Sequence, residues 1–102
     1  MLFDWDQNKN EKNIRDHKVD FIDAALIWDD PLRQERVDGR ENYDEARYQT
    51  IGRVSFGVLL VVYTDRYTED GEEVARIISA RKATKQERRE YESRTFSMRI
   101  VR

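Results

Sequence analysis

The run Val58-Leu59-Leu60-Val61-Val62-Tyr63-Thr64 most narrows the folds open to this chain. It is rich in β-branched residues and apolar at odd and even positions alike. Such a strand lies centrally in a sheet, covered on both faces, or on one face and partly on the other. Flanking segments offer it neighbours. Residues 46–53 read as a strand, joined to it through the turn Ser55-Phe56-Gly57. Residues 73–80, with Val74, Ile77 and Ile78, read as the next, across a loop carrying Asp70-Gly71. Three strands with short connections form an antiparallel meander. Residues 32–38 are a further strand candidate, 39–45 a polar loop, and Leu2 to Trp5 a short opening strand.

The covers come from helices. Asp6 is placed to cap a helix over about Gln7 to Asp16, whose single large apolar residue, Ile14, predicts a surface element. Asp20 caps a second helix. Phe21, Ala24, Ala25 and Trp28 follow the spacing of a buried face, and Asp29-Asp30-Pro31 stops it. Thr84-Lys85-Gln86-Glu87 matches a capping box that opens a helix to about Glu92. The sum is an α+β domain: two N-terminal helices and a C-terminal helix packed on one face of an antiparallel β-sheet. Residues 1–93 are read as one domain and 94–102 as a tail, either a strand or a disordered end.

Charge is unevenly spread. Residues 1–45 carry 13 acidic and 7 basic side chains, residues 46–102 carry 8 and 12. The basic half suits either an RNA-facing surface or a solvated face. The absence of cysteine excludes disulfides, thiolate metal sites and thiol nucleophiles. The N-terminus lacks a signal-peptide pattern and no apolar run reaches membrane-spanning length, so a cytoplasmic protein is expected. No GxxxxGK, GxSxG or HExxH motif occurs. Asp29 and Asp30 are read as a helix stop, not a Mg²⁺ site.

An ordered set of residues resembles the BrnT family of toxins. It begins with Phe3-Asp4-Trp5-Asp6, Lys9, Asn13, His17, Val19 and Phe21. It continues with Arg47, Ile51-Gly52-Arg53 and Val61-Val62-Tyr63-Thr64. It closes with Arg76 through Thr84, then Glu87-Arg88 and Tyr91. Lys18 departs from the pattern, standing where the family usually has glycine; this bears on the bend between the first two helices. The resemblance implies a RelE-like fold, metal-independent RNA cleavage with no cofactor, and growth arrest by the free protein. It also implies neutralisation by a BrnA-like ribbon-helix-helix antitoxin, with DNA contacted only through that partner. A catalytically inactive binding module of the same fold, acting with the antitoxin at its promoter, is the competing expectation.

Attack by RNA's own 2′-hydroxyl needs a proton acceptor, a proton donor and positive charge for the crowded phosphate. Arg81, at the end of the last strand before the capped helix, is the first choice for that charge. Arg53 and Arg47 follow, six residues apart and so on one strand face. His17, the lone histidine, is either the acid or base, or a helix-end cap. Tyr63 and Glu73 are weaker proton-transfer candidates. Arg76, Lys82, Lys9 and Lys12 are candidate RNA-backbone contacts, or solubilising charges. Acidic antitoxin residues are expected to meet Arg47, Arg53 and Arg81 on the sheet.

Overall fold

The computed structural model describes residues 1–40, 44–99 and 101. The middle of the expected 39–45 loop and Ile100 of the tail lie outside the described residues. Strand β1 (Leu2–Asp4) leads into helix α1 (Gln7–His17) and the short helix α2 (Phe21–Ala24). A 3₁₀ turn over Ala25–Asp29 follows. Strands β2 (Gln34–Asp38), β3 (Arg47–Val54), β4 (Gly57–Tyr67) and β5 (Glu73–Lys82) precede helix α3 (Lys85–Ser93). A second 3₁₀ turn spans Phe96–Met98.

The sheet order is β1-β5-β4-β3-β2. The expected meander is present: β2 to β5 are successive antiparallel neighbours. The sheet is nevertheless mixed, because β1 pairs parallel with β5, Leu2 opposite Val74 and Asp4 opposite Arg76. The capping expectations hold. The Asp6 carboxylate accepts from the amides of Asn8 and Lys9, and the Asp20 carboxylate from that of Ile22. Thr84 and Glu87 form the full capping box.

Placing all helices on one face needs correction. Phe21, Ala24 and Ile27 pack with Leu59, Val61, Ile77 and Ala80 on one side of the sheet. Tyr91 of α3 and Phe96 pack with Ile51, Val58 and Leu60 on the other. The alternation of Leu59 and Leu60 between these two cores is why the central strand is apolar at every position.

The second helix also differs from its reading as one element to Trp28. It tightens to 3₁₀ geometry after Ala24. The tighter turn lays Ile27 directly on Gly52: a Cβ at Gly52 would stand 2.7 Å from the Ile27 Cβ and 3.2 Å from its carbonyl oxygen.

Helix α1 is docked through two buried amides, Asn10 and Asn13, rather than through Ile14. Asn10 accepts from the Phe21 amide at 2.9 Å. Asn13 donates to the Ala80 carbonyl at 2.8 Å and accepts from the Ala80 amide at 3.1 Å. Strand β1 pairs with β5 only at Val74–Arg76. Asn13 therefore continues the ladder beyond the end of β1 and fixes the C-terminal end of α1 beside β5.

Candidate active site

The site is built on the sheet face that carries α3, and a bulge puts Arg81 there. Between β4 and β5 the register shifts, with Val62 opposite Ser79 and Tyr63 opposite Ile77. Ile78 is the extra residue. Strict alternation would give Ile77, Ser79 and Arg81 one face. The bulge instead leaves Ile77 and Ala80 in the first core and turns Ser79 and Arg81 to the other side.

There Arg81 lines a cleft of about 440 Å³ with Arg36, Arg40, Gln49, Thr84, Gln86, Glu87, Arg99 and Val101. Glu87 grips both arms of the Arg81 guanidinium, at 2.7 and 3.0 Å, and accepts from the Thr84 amide at 2.9 Å. Burial works to raise the Glu87 carboxyl. The Arg81 fork and the Thr84 hydrogen bonds outweigh it and hold the carboxyl below its usual range. The capping glutamate thus also orients the arginine. Among the described residues the outer Nη2 proton and the Nε–H of Arg81 take no partner, which leaves them for a ligand.

Arg36 is more deeply set. Its Nε donates to the Gln49 side chain at 3.0 Å, and its guanidinium lies 3.8 Å from the Phe96 ring centroid. Burial lowers its ionisation range, against the pull of Glu90 at 3.7 Å. Arg40 is held at 2.7 Å by Asp38, whose carboxyl Arg40 keeps below the ordinary range.

Two smaller grooves extend the cleft. One, about 140 Å³, is lined by His17, Arg40, Leu60, Val62, Ser79, Ala80 and Arg81. The next, about 160 Å³, is lined by Lys9, Lys12, Asn13, Asp16, His17, Ile78 and Ser79. Arg40 and Arg81 are shared by the first pair of spaces, and His17 and Ser79 by the second. The three form one track. It runs from Arg99 and Arg36, past Arg81 and His17, to Lys12 and Lys9.

Of the residues singled out from sequence, the structure therefore brings together Arg81, His17, Lys9 and Lys12. His17 is exposed at the last position of α1, facing the groove. Arg47 and Arg53 do share the face of Arg81, at opposite ends of β3, but neither lines the track among the described residues. The Arg53 guanidinium lies 5.6 Å from the Tyr91 ring centroid. Arg47 is half-buried opposite Asp38. Arg76 is ion-paired with Asp4 at 2.6 Å. Lys82 falls on the opposite face from Arg81. Tyr63 is also on that face, donating to Glu35 at 2.5 Å, and burial pushes its hydroxyl far upward. Glu73 is exposed at the start of β5.

Sequence reading missed Arg36, Arg40 and Arg99. Arg36 carried a signal: it alternates with Gln34 and Asp38 on one face of a predicted strand. Arg99 lay in the segment set aside as a tail. Among the described residues no group of three or more histidines or carboxylates gathers to hold a metal. No described helix is long and apolar enough to cross a membrane.

A cationic cleft at the start of a capped helix, with a histidine in the adjoining groove, is an arrangement for binding and working on phosphates. A search of curated proteins finds no match to the chain. Residues 5–87 match the family described as "Ribonuclease toxin, BrnT, of type II toxin-antitoxin system". That span takes in β2 to β5, α1, α2, Arg81 and Glu87, and the chain belongs to this family of ribonuclease toxins.

Proposed function

We propose that this chain cuts RNA without a metal, through the 2′-hydroxyl of the substrate, and that its track is the active site. The 2′-oxygen attacks the adjacent phosphorus and the bond to the 5′-oxygen breaks. The products are a 2′,3′-cyclic phosphate and a 5′-hydroxyl end. Arg81 stabilises the charge that gathers on the phosphate, with Arg40 beside it. His17 moves the proton, either from the 2′-hydroxyl or to the leaving oxygen. Lys12 and Lys9 hold the next backbone phosphates. The observation that carries this reading is Arg81, fixed by Glu87, sharing a groove with the lone histidine.

The free protein acts in the cytoplasm and arrests growth, until a BrnA-like ribbon-helix-helix antitoxin covers it. Arg47 and Arg53, with Arg81, offer that partner a basic sheet face. Any DNA contact is made by the partner. Arg76 and Lys82, off the track, serve at most as outlying RNA contacts.

A second reading, an inactive partner of the antitoxin, also has an observation behind it: Glu87 already occupies both arms of the Arg81 fork.

Induction of the chain alone in a bacterial host, beside Arg81→Ala, separates the two. Growth arrest and RNA fragments with 5′-hydroxyl ends, persisting in purified reactions containing a chelator and relieved by the substitution, support the first. Normal growth and intact RNA at confirmed soluble expression support the second.

A further inference from the structure

We propose that Arg99 is a phosphate-binding residue of the cleft, and that residues 94–99 with Val101 are a built wall of the site. This rests on the reading of the cleft as an RNA site. The residues involved lie beyond the span matched to the family.

The segment is anchored at three levels. Phe96 is fully buried in the second core, beneath the Arg36 guanidinium. Its amide donates to the Gln34 side chain at 3.1 Å, and its carbonyl accepts from Arg36 at 3.3 Å. The Gly39 amide donates to the Val101 carbonyl at 3.2 Å, and Val101 bridges to Asp38 alongside β2. Phe96 and Val101 are thereby each held against β2.

Between the anchors stands Arg99. It lines the cleft opposite Arg81 and Gln86, and its side chain is 55% exposed. Among the described residues it pairs with Glu90, at 3.3 Å, and Glu90 has Arg36 as a second cation at 3.7 Å. Arg99 supplies a hydrogen bond to this buried carboxylate, and Arg36 remains beside it as a cation if Arg99 is removed. The pair is half-open: the Arg99 side chain reaches solvent while the Glu90 carboxylate beneath it is buried. The side chain borders a space that Arg36, Arg40 and Arg81 already make attractive to an anion. A single-stranded RNA chain entering the track from this end meets Arg99 first.

The test uses the full chain and a 2′-O-methyl RNA oligonucleotide, which has no attacking hydroxyl and reports binding alone. Fluorescence anisotropy is followed over a salt series for the wild type, Arg99→Ala, Arg99→Lys and Arg81→Ala, with thermal unfolding alongside. Arg99→Ala, measured well below its melting temperature, is expected to bind about five- to tenfold more weakly. The slope of log affinity against log salt should become shallower by about 0.7, the amount for one lost contact to a single strand. Arg99→Lys should recover most of both.

Wild-type binding with unchanged affinity and slope in Arg99→Ala overturns the proposal while leaving the RNA reading intact. No binding by the wild type overturns that reading, and this one with it. Weaker binding with an unchanged slope and a lowered melting temperature assigns Arg99 a structural role instead and also overturns it.

Discussion

Arg81 and Glu87 show how one side chain serves two ends. The glutamate closes a capping box and grips an arginine on the cleft wall. The two tasks separate by substitution, because glutamine also fits the third position of a capping box. Glu87→Gln is expected to leave stability nearly unchanged while lowering RNA cleavage about tenfold, through a less firmly held Arg81. Arg81→Ala should cost roughly 3–4 kcal/mol of transition-state stabilisation, about two to three powers of ten in rate, by analogy with loss of one oxyanion donor. Cleavage rates of the purified variants beside their unfolding curves check both; equal activity in Glu87→Gln and wild type removes the positioning role. Lys18 raises a different matter at the same scale. It caps α1 in the left-handed region, at φ 61°, a conformation that costs a side chain with a Cβ about 1–2 kcal/mol. Glycine is free of that cost but loses more chain entropy on folding. Lys18→Gly should therefore stabilise by about 0.5–1 kcal/mol, read as a melting temperature several degrees higher.

At the scale of elements, α1 is instructive because a surface helix with one large apolar residue has little reason to stay in place. Two amides hold it. Asn13 supplies both a donor and an acceptor to Ala80, at a point on β5 beyond the end of β1. Asn13→Ala would leave the buried Ala80 amide and carbonyl without partners. We expect a loss of about 2–4 kcal/mol, since each stranded group costs about 1–3 kcal/mol. His17 lies one turn on from Asn13, so the same substitution should lower cleavage beyond what the unfolded fraction explains. Denaturant unfolding and activity at a temperature where the variant is folded separate the two effects. Full activity in the folded variant would show that docking of α1 does not set the position of His17.

At the scale of the whole molecule, the two cores on opposite faces are tied around the end of the sheet by Asp30. Its carboxylate accepts from the Tyr91 hydroxyl at 2.5 Å, from the Arg53 amide at 2.7 Å and from the Leu32 amide at 2.9 Å. Burial works to raise the Asp30 carboxyl, but these bonds outweigh it and hold it below the ordinary 3.8. The stability this contributes is present above that value and is lost as pH falls through the lower folded-state value. Burial, then the hydrogen bond to Asp30, pushes the Tyr91 hydroxyl above its ordinary 10.0. That contribution is present below pH 10 and is lost as pH rises through the folded-state value. Stability should thus be flat from about pH 5 to 9 and fall on both sides. Asp30→Asn should lower the plateau by about 1–3 kcal/mol and make the acid fall shallower; Tyr91→Phe should soften the alkaline fall. Denaturant midpoints across pH check this, and an acid limb unchanged by Asp30→Asn would remove the assignment.

Much of this arrangement was fixed locally and was legible for that reason. A strand apolar at every position needs two covered faces whatever surrounds it. Asp6, Asp20 and the Thr84–Glu87 box cap their helices through bonds a few residues long. Arg81, His17, Lys9 and Lys12 could be named by residue type, and the ordered motifs pointed to the family. Tertiary structure alone decided the rest. A single bulge at Ile78 chose the face of Arg81, and period-two reading of β5 gives the opposite answer. The parallel pairing of β1 joins residues about seventy positions apart, beyond the reach of any local pattern. The docking of α1 through asparagines leaves no apolar stripe to read. Arg36, Arg40 and Arg99 converge on the cleft only because β2 and the last turn of chain fold against the same sheet face. Local sequence sets caps, periods and chemical types through bonds between near neighbours; which of those side chains share one cleft is settled by contacts between distant ones.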